Sequence, residues 1–565
     1  MRIAITGIGL ISAIGLDRAE TLTSLLAERS GIRAEEAAGV MGLPMGRVKL
    51  TNGQLHERLG IDSNEAISRC ALLGIAAARE ALGDAPATTG RVLISGTTVG
   101  GMDTTERLWN DWQKGGHLDY IPQHEAGETT HKIAGHIGGF AYTATPSTAC
   151  SSALNAIITG ANMLRTGKAK QALVGGTECL SRFHINGFNT LMILDSKPCR
   201  PFSADRAGLN LGEGAGYLLL ENDEDALARN ATIYGYVAGY ANACDAFHQT
   251  ASSPDGEGDY RAMKQALEMA NVTPGQVDYI NAHGTGTPNN DLSESTAIRR
   301  LFGDNIPAVS STKPFTGHTT SASGSIEAAI CLLCMQQGFV PANLHFTRTG
   351  EGLVMPVRHT EHKALNYVLC NAFGFGGNDS SLLLSKRPCE LPAVALNETQ
   401  ITIHEMPREV DYKQWITPME ARRMSPQLRN VVALALSAMQ THKVDAIVCA
   451  TRYGCIVNSV AFLTDLLAGG ESGLKPTRFI QSTHNTPAAI IANMQHHHGY
   501  NMTYSNGRQS WDNALLDAKM QIALGTIDSA LVIAFDEYDE QWDTLLQHIG
   551  ERAENVARAA VVQHI

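Results

Sequence analysis

Cys150 stands in the segment Pro146-Ser147-Thr148-Ala149-Cys150-Ser151-Ser152, between a strand-like run over 142–145 and a long apolar helical run over 153–166. That order places the sulfur on a tight strand-to-helix turn. Free backbone N–H groups and the positive end of the helix dipole there favour thiolate over thiol. A cysteine activated in this way is the soft nucleophile that acyl transfer needs. A lone cysteine is more often a small buried hydrophobe, so the reading rests on what accompanies it. Three further segments follow in order: Asn281-Ala282-His283-Gly284-Thr285-Gly286-Thr287-Pro288, then Ser311-Thr312-Lys313-Pro314-Phe315-Thr316-Gly317-His318, then Asn371-Ala372-Phe373-Gly374-Phe375-Gly376-Gly377-Asn378.

Together these four segments resemble the β-ketoacyl synthases of the thiolase superfamily, over residues 1 to about 387. The resemblance implies a Cys-His-His site. Cys150 would take an acyl chain from an acyl carrier protein as a thioester. His283 and His318 would hold the carbonyl of a malonyl thioester through two ring N–H groups as it loses carbon dioxide, stabilising the enolate by preorganised hydrogen bonds. Lys313 and Glu327 match positions that support the histidines electrostatically. Thr285 and Thr287 match hydroxyls that hold the phosphopantetheine arm, where short side chains bond amides without filling a narrow tunnel. Phe375 matches a gating aromatic, with Phe373 beside it on the substrate side, and the backbone N–H groups of Phe375 and Cys150 would form the oxyanion hole. The chain departs from the family in reading Gly376-Gly377-Asn378-Asp379 where Gly-Gly-Thr-Asn is usual. A thiolase would carry a second cysteine in the last segment, and an initiating synthase an asparagine at His318. Asp291 and Arg206 read as structural.

The rest of the composition fits a globular protein. A formal charge of −12, with 18% charged and 44% hydrophobic residues, argues against a non-specific nucleic-acid binder. Eleven scattered cysteines without a paired framework imply a reducing, cytoplasmic setting. No run is long enough to span a membrane. His496-His497-His498 cannot share one helix face, so they do not read as a metal site. Neither a metal nor a redox cofactor is implied.

Strand-like and helical runs alternate twice before residue 387, which predicts an α/β layered fold. The resemblance makes it a five-layered αβαβα sandwich built from a duplicated half, with halves at 1–245 and 246–387 and a linker over 388–400. The remainder, 401–565, repeats the first half. At constant offset, Asn513 falls on Asn155 and Gly525 on Gly167. Its nucleophile turn reads Ser505-Asn506-Gly507-Arg508-Gln509-Ser510, so Cys150 is matched by Arg508 or, one residue on, Gln509. Neither can carry an acyl group, and no second histidine half follows. The expectation is a condensing synthase fused to a nucleophile-free half domain like a chain-length factor. Such couples occur in type II polyketide and aryl polyene systems. Ordinary fatty-acid elongation and a non-catalytic scaffold are the alternatives. The half domain would complete the acyl tunnel, either by pairing within the chain through 500–504 or by buttressing a homodimer.

Overall fold

The computed structural model describes residues 1–34, 42–407 and 410–564. Fifteen strands fall into three sets of five with one plan. The first set is β1 (Ile3–Ser12), β2 (Arg91–Gly96), β3 (Tyr142–Ala144), β4 (Gln171–Glu178) and β5 (Gly214–Asn222). The second is β6 (Gly235–Cys244), β7 (Tyr279–Asn281), β8 (Ala308–Ser310), β9 (Tyr367–Gly374) and β10 (Asn378–Ser385). The third is β11 (Ile401–Glu405), β12 (Ala446–Ala450), β13 (Tyr500–Tyr504), β14 (Ser529–Asp536) and β15 (Val556–His564). Across the sheets the orders run β1-β5-β4-β2-β3, β6-β10-β9-β7-β8 and β11-β15-β14-β12-β13. In every set the second strand is parallel to both its neighbours, while the last strand is antiparallel to both of its own. The third set is therefore a complete copy of the unit. The second set opens at Gly235, so a division after residue 245 cuts behind its first strand rather than before it.

The central strands are buried along their whole length and mostly apolar, with polar residues toward their ends, as burial on both faces requires. Two helices lie between the first two sheets, α3 (Ser152–Arg165) and α5 (Ser323–Gln337), numbered with α1 (Arg69–Leu82), α2 (Ala126–Ile137) and α4 (Pro288–Phe302) before and between them. Leu154, Ile157, Ile326 and Ile330 of the inner helices share one core with strands of both sheets. On the outer face of the first sheet, α1 packs Leu72, Ile75 and Ala78 against Leu93, Leu173 and Tyr217. Its Ser68 cap accepts the Ala71 N–H, so the helix starts five residues later than a predicted 64–82. The sheets also join at one corner, where Ile3–Ile5 of β1 pair with Gly235–Val237 of β6. In the third unit, α6 (Pro426–Thr441) and α7 (Thr486–Gln495) cover one face and α8 (Ser510–Ala523) the other.

The third unit docks edge to edge on the first. Beyond the end of β3, the Ser147 N–H donates to Thr503 O at 2.8 Å and the Ser505 N–H to Thr145 O at 2.8 Å, so β13 continues the first sheet antiparallel. Side chains lock this seam. The Asn506 amide donates to Thr143 O at 2.9 Å and accepts from the Thr145 hydroxyl at 3.0 Å. Arg452 pairs with Glu125 at 2.7 Å. Gly127 lets the two backbones meet: a Cβ there would lie 2.8 Å from Asn506 Cα. In the first turn of α2, alanine is the better helix former by about 1 kcal/mol, but overlap with unyielding backbone costs about 1–3 kcal/mol. Gly127→Ala is therefore expected to lower the urea midpoint. A midpoint at or above that of the wild type would show that the seam is looser than drawn.

Candidate functional site

The strand-to-helix turn forms as the sequence predicts, but with a strained residue in it. Thr148 has φ −120°, ψ 42°, and Ala149 is in the left-handed region at φ 54°. Strain of this kind in a non-glycine residue persists only where surroundings impose it. Here the Ser152 hydroxyl accepts the Thr148 N–H at 2.9 Å and donates to Ala149 O at 2.7 Å. Cys150 then sits in a single 3₁₀ turn ahead of α3. The third unit repeats the turn: Asn506 has φ −120°, ψ 44°, Gly507 has φ 63°, and Ser510 accepts the Asn506 N–H at 2.8 Å. This match puts Arg508, not Gln509, in the place of Cys150. Arg508 is largely exposed and pairs with Glu551.

Three separate elements deliver the reacting groups. His283 follows β7, and its N–H and that of Gly284 are held by the Glu294 carboxylate of α4 at 2.8 Å each. His318 lies between β8 and α5, with its N–H on Asn210 O at 2.7 Å. The Cys150 sulfur and the histidine ring nitrogens lie within 4.8 Å of one another. His318 Nε2 is 3.1 Å from Sγ, and the two imidazoles meet edge to face at 5.3 Å. Lys313 Nζ reaches Glu327 at 2.7 Å and His283 Nδ1 at 3.3 Å. An ammonium only donates, so His283 Nδ1 must accept and its proton must sit on Nε2. His318 Nδ1 has no protein partner among the described residues, so nothing pins its tautomer.

Electrostatics corrects one expectation. Burial pushes the Cys150 thiol up to about 11, outweighing the Lys313 charge and the Phe375 N–H, which favour thiolate. The helix N-terminus does not deliver a thiolate by itself. Burial, with Lys313 next, holds both His283 and His318 well below the usual imidazole range, so both are neutral near pH 7. Neutral rings can donate to an oxygen without carrying charge into the interior. Alkylation of Cys150 by iodoacetamide, mapped by peptide mass, is expected to rise about tenfold per pH unit from 7 to 9. A plateau below pH 8 would reveal a preformed thiolate.

Two cavities meet at the sulfur. The outer one, about 350 Å³, is lined by Cys150, His283, His318, Thr285, Thr287, Phe373 and Phe375. The two threonine hydroxyls are 2.9 Å apart, and the Phe373 ring lies 6.0 Å from that of His283. Phe375 stacks on Phe188 at 5.7 Å between the two spaces. The inner cavity, about 50 Å³, runs from Cys150 past Phe183 and Phe188 to Tyr453, Ser459, Phe479 and His484 of the third unit. Asn378 ties the gate to the nucleophile helix: its side-chain oxygen accepts from Ser151, Asn155 and Asn242 at 2.9 Å each, and its amide donates to Asn501 O at 2.6 Å. That arrangement answers the departure at this position. Asp291 accepts from the Phe202 and Gly286 N–H groups and faces Arg206, a structural set. His496 caps α7, while His497 and His498 meet two different backbone carbonyls.

Sequence reasoning missed Glu294 and, while expecting the half domain to complete the tunnel, named none of the residues that line the inner cavity from it. Glu294 could have been suspected as an acid on the helix that follows the histidine loop. No local signal marks Phe479 or His484.

Comparisons with known proteins agree with this geometry. Residues 1–226 match the N-terminal domain of β-ketoacyl synthases, residues 234–347 the C-terminal domain, and residues 397–564 an N-terminal domain again. The 3-oxoacyl-[acyl-carrier-protein] synthase 2 of Staphylococcus aureus (strain MRSA252) is 34% identical over 412 residues, 68% of this chain and 98% of that protein. Among solved structures, the ishigamide ketosynthase/chain length factor is 31% identical, with a TM-score of 0.64 over 68% of this chain and 99% of that one. The PfaC keto synthase-chain length factor, at 18% identity, shares the fold over 100% of this chain and 78% of its own, with a TM-score of 0.78.

Proposed function

Because the chain belongs to the β-ketoacyl synthase family, and is an acyltransferase of that type, we propose that it joins an acyl group on Cys150 to a malonyl unit by decarboxylative Claisen condensation. Both substrates arrive on the phosphopantetheine of an acyl carrier protein. The observation that carries this reading is the convergence of Cys150, His283 and His318 where the two cavities meet.

In the first half-reaction Cys150 Sγ attacks the acyl thioester. His318 Nε2, 3.1 Å away, takes the S–H proton, and the departing carrier thiol recovers it. The backbone N–H groups of Cys150 and Phe375, which favour negative charge at this point, receive the oxyanion in this reading. In the second, the malonyl thioester enters past Thr285 and Thr287 and releases carbon dioxide. Its enolate oxygen is held by His283 Nε2–H, fixed by Lys313, and by His318, whose unpinned ring can turn from acceptor to donor. The carbanion attacks the acyl carbonyl, the C–S bond breaks, and the thiolate returns to Cys150.

The third unit supplies the chain-length-factor role in this reading, standing where a second subunit would. Its Tyr453, Phe479 and His484 form part of the wall of the inner cavity. Aromatic rings and neutral histidines there suit a conjugated or aryl-primed chain better than a saturated one. That favours polyketide or aryl polyene assembly over ordinary fatty-acid elongation.

Intact-mass measurement after mixing with an acyl carrier protein bearing an aryl-primed chain is expected to show one adduct on Cys150, discharged by malonyl carrier protein. No adduct with any acyl group, from a protein that is folded, would overturn the condensing reading. Phe479→Ala should lengthen the products, with turnover within a few-fold of wild type. An unchanged length distribution would remove the third unit from length control.

A further inference from the structure

Asn485 is the last residue before α7, the position where asparagine ordinarily accepts a hydrogen bond from its own helix. It makes no such bond. Its side chain leaves the third unit and donates from Nδ2 to Phe375 O at 2.9 Å. The amide is buried, and Gly376 leaves the space it needs: a Cβ there would lie 2.8 Å from Nδ2. The other end of the same peptide is also tied, through the Gly376 N–H to Gln249 O at 2.8 Å. One residue before Asn485, His484 Nδ1 meets the Ser147 hydroxyl on the nucleophile loop at 2.9 Å. Ser482, Thr483 and His484 line the inner cavity. One short segment of the third unit thus touches the cavity, the nucleophile loop and the gate.

We propose that Asn485 is a positioning residue for acyl transfer. Its hydrogen bond to the Phe375 carbonyl holds the gate closed, with the Phe375 N–H on the side of the Cys150 thiol, whose ionised form it favours. The glycines at 374, 376 and 377 give the stretch wide backbone freedom, and the bonds at Gly376 N–H and at Asn485 are what hold its middle peptide in place. Without the latch, the oxyanion donor is free to swing off its line. The third unit then does more than wall a cavity: it sets the population of the reactive gate. This inference rests on the condensing reading given above.

The test uses the full chain with Asn485→Ala and Asn485→Asp, the second keeping size but losing the donor. Transfer of an acyl group from its carrier protein to Cys150 is followed by intact mass, and carbon dioxide release from malonyl carrier protein is followed separately. Both variants are expected to slow acyl transfer about tenfold through kcat, with KM within about twofold, because one amide hydrogen bond is lost. Carbon dioxide release, which uses His283 and His318, should stay within about twofold, and so should the thermal midpoint within a few degrees. Equal slowing of both partial reactions would mark a merely structural residue and overturn the inference. So would wild-type acyl transfer in both variants while the wild-type protein acylates normally. A wild-type protein that never acylates overturns the condensing reading, and the inference with it.

Discussion

An open sheet edge cannot be left bare beside a reactive cysteine. β3 is short and lies at the end of its sheet, one turn before Cys150. Unpaired N–H and C=O groups there would invite another chain or admit water. The bonds between Ser147 and Thr503 and between Thr145 and Ser505 close that edge within one polypeptide. Much else follows from this pairing. It brings α7 under the gate, sets the two matching turns side by side, and places Tyr453 and Phe479 at the inner cavity.

The same burial sets the chemistry. A site sealed from water raises the cost of any isolated charge, so the thiol is pushed up and both histidines are pushed down. Lys313 is paired deep in the site with Glu327, both almost fully buried. Through its bond to Nδ1, Lys313 dictates which nitrogen of His283 bears the proton. The proposed condensation therefore calls for neutral donors and a proton passed over about one hydrogen bond, rather than for a standing thiolate.

The repeated unit shows what such a turn needs to fold and what it needs to react. Asn506, Gly507 and Ser510 reproduce the backbone of Thr148, Ala149 and Ser152. The fold demands only the hydroxyl that accepts across the turn and a residue tolerating positive φ. The nucleophile itself is free to change, and an exposed arginine in a salt bridge stands in its place.

Residue order, read through the resemblance, singled out Cys150, His283, His318, Lys313 and Glu327 as candidates and exposed the repetition, because each lies in a short segment legible by itself. Strand and helix ends followed to within a few residues, with α1 shortened by its Ser68 cap. The tertiary structure decided the rest. The state of the Cys150 thiol depends on burial, which no window of sequence contains. The match of Arg508 rather than Gln509 to the nucleophile came from φ and ψ, since an alignment tolerates a one-residue slip where a turn does not. Asn485, His484 and Phe479 were invisible because they act on residues more than a hundred positions away. Those contacts exist only once β13 has paired with the strand before the cysteine.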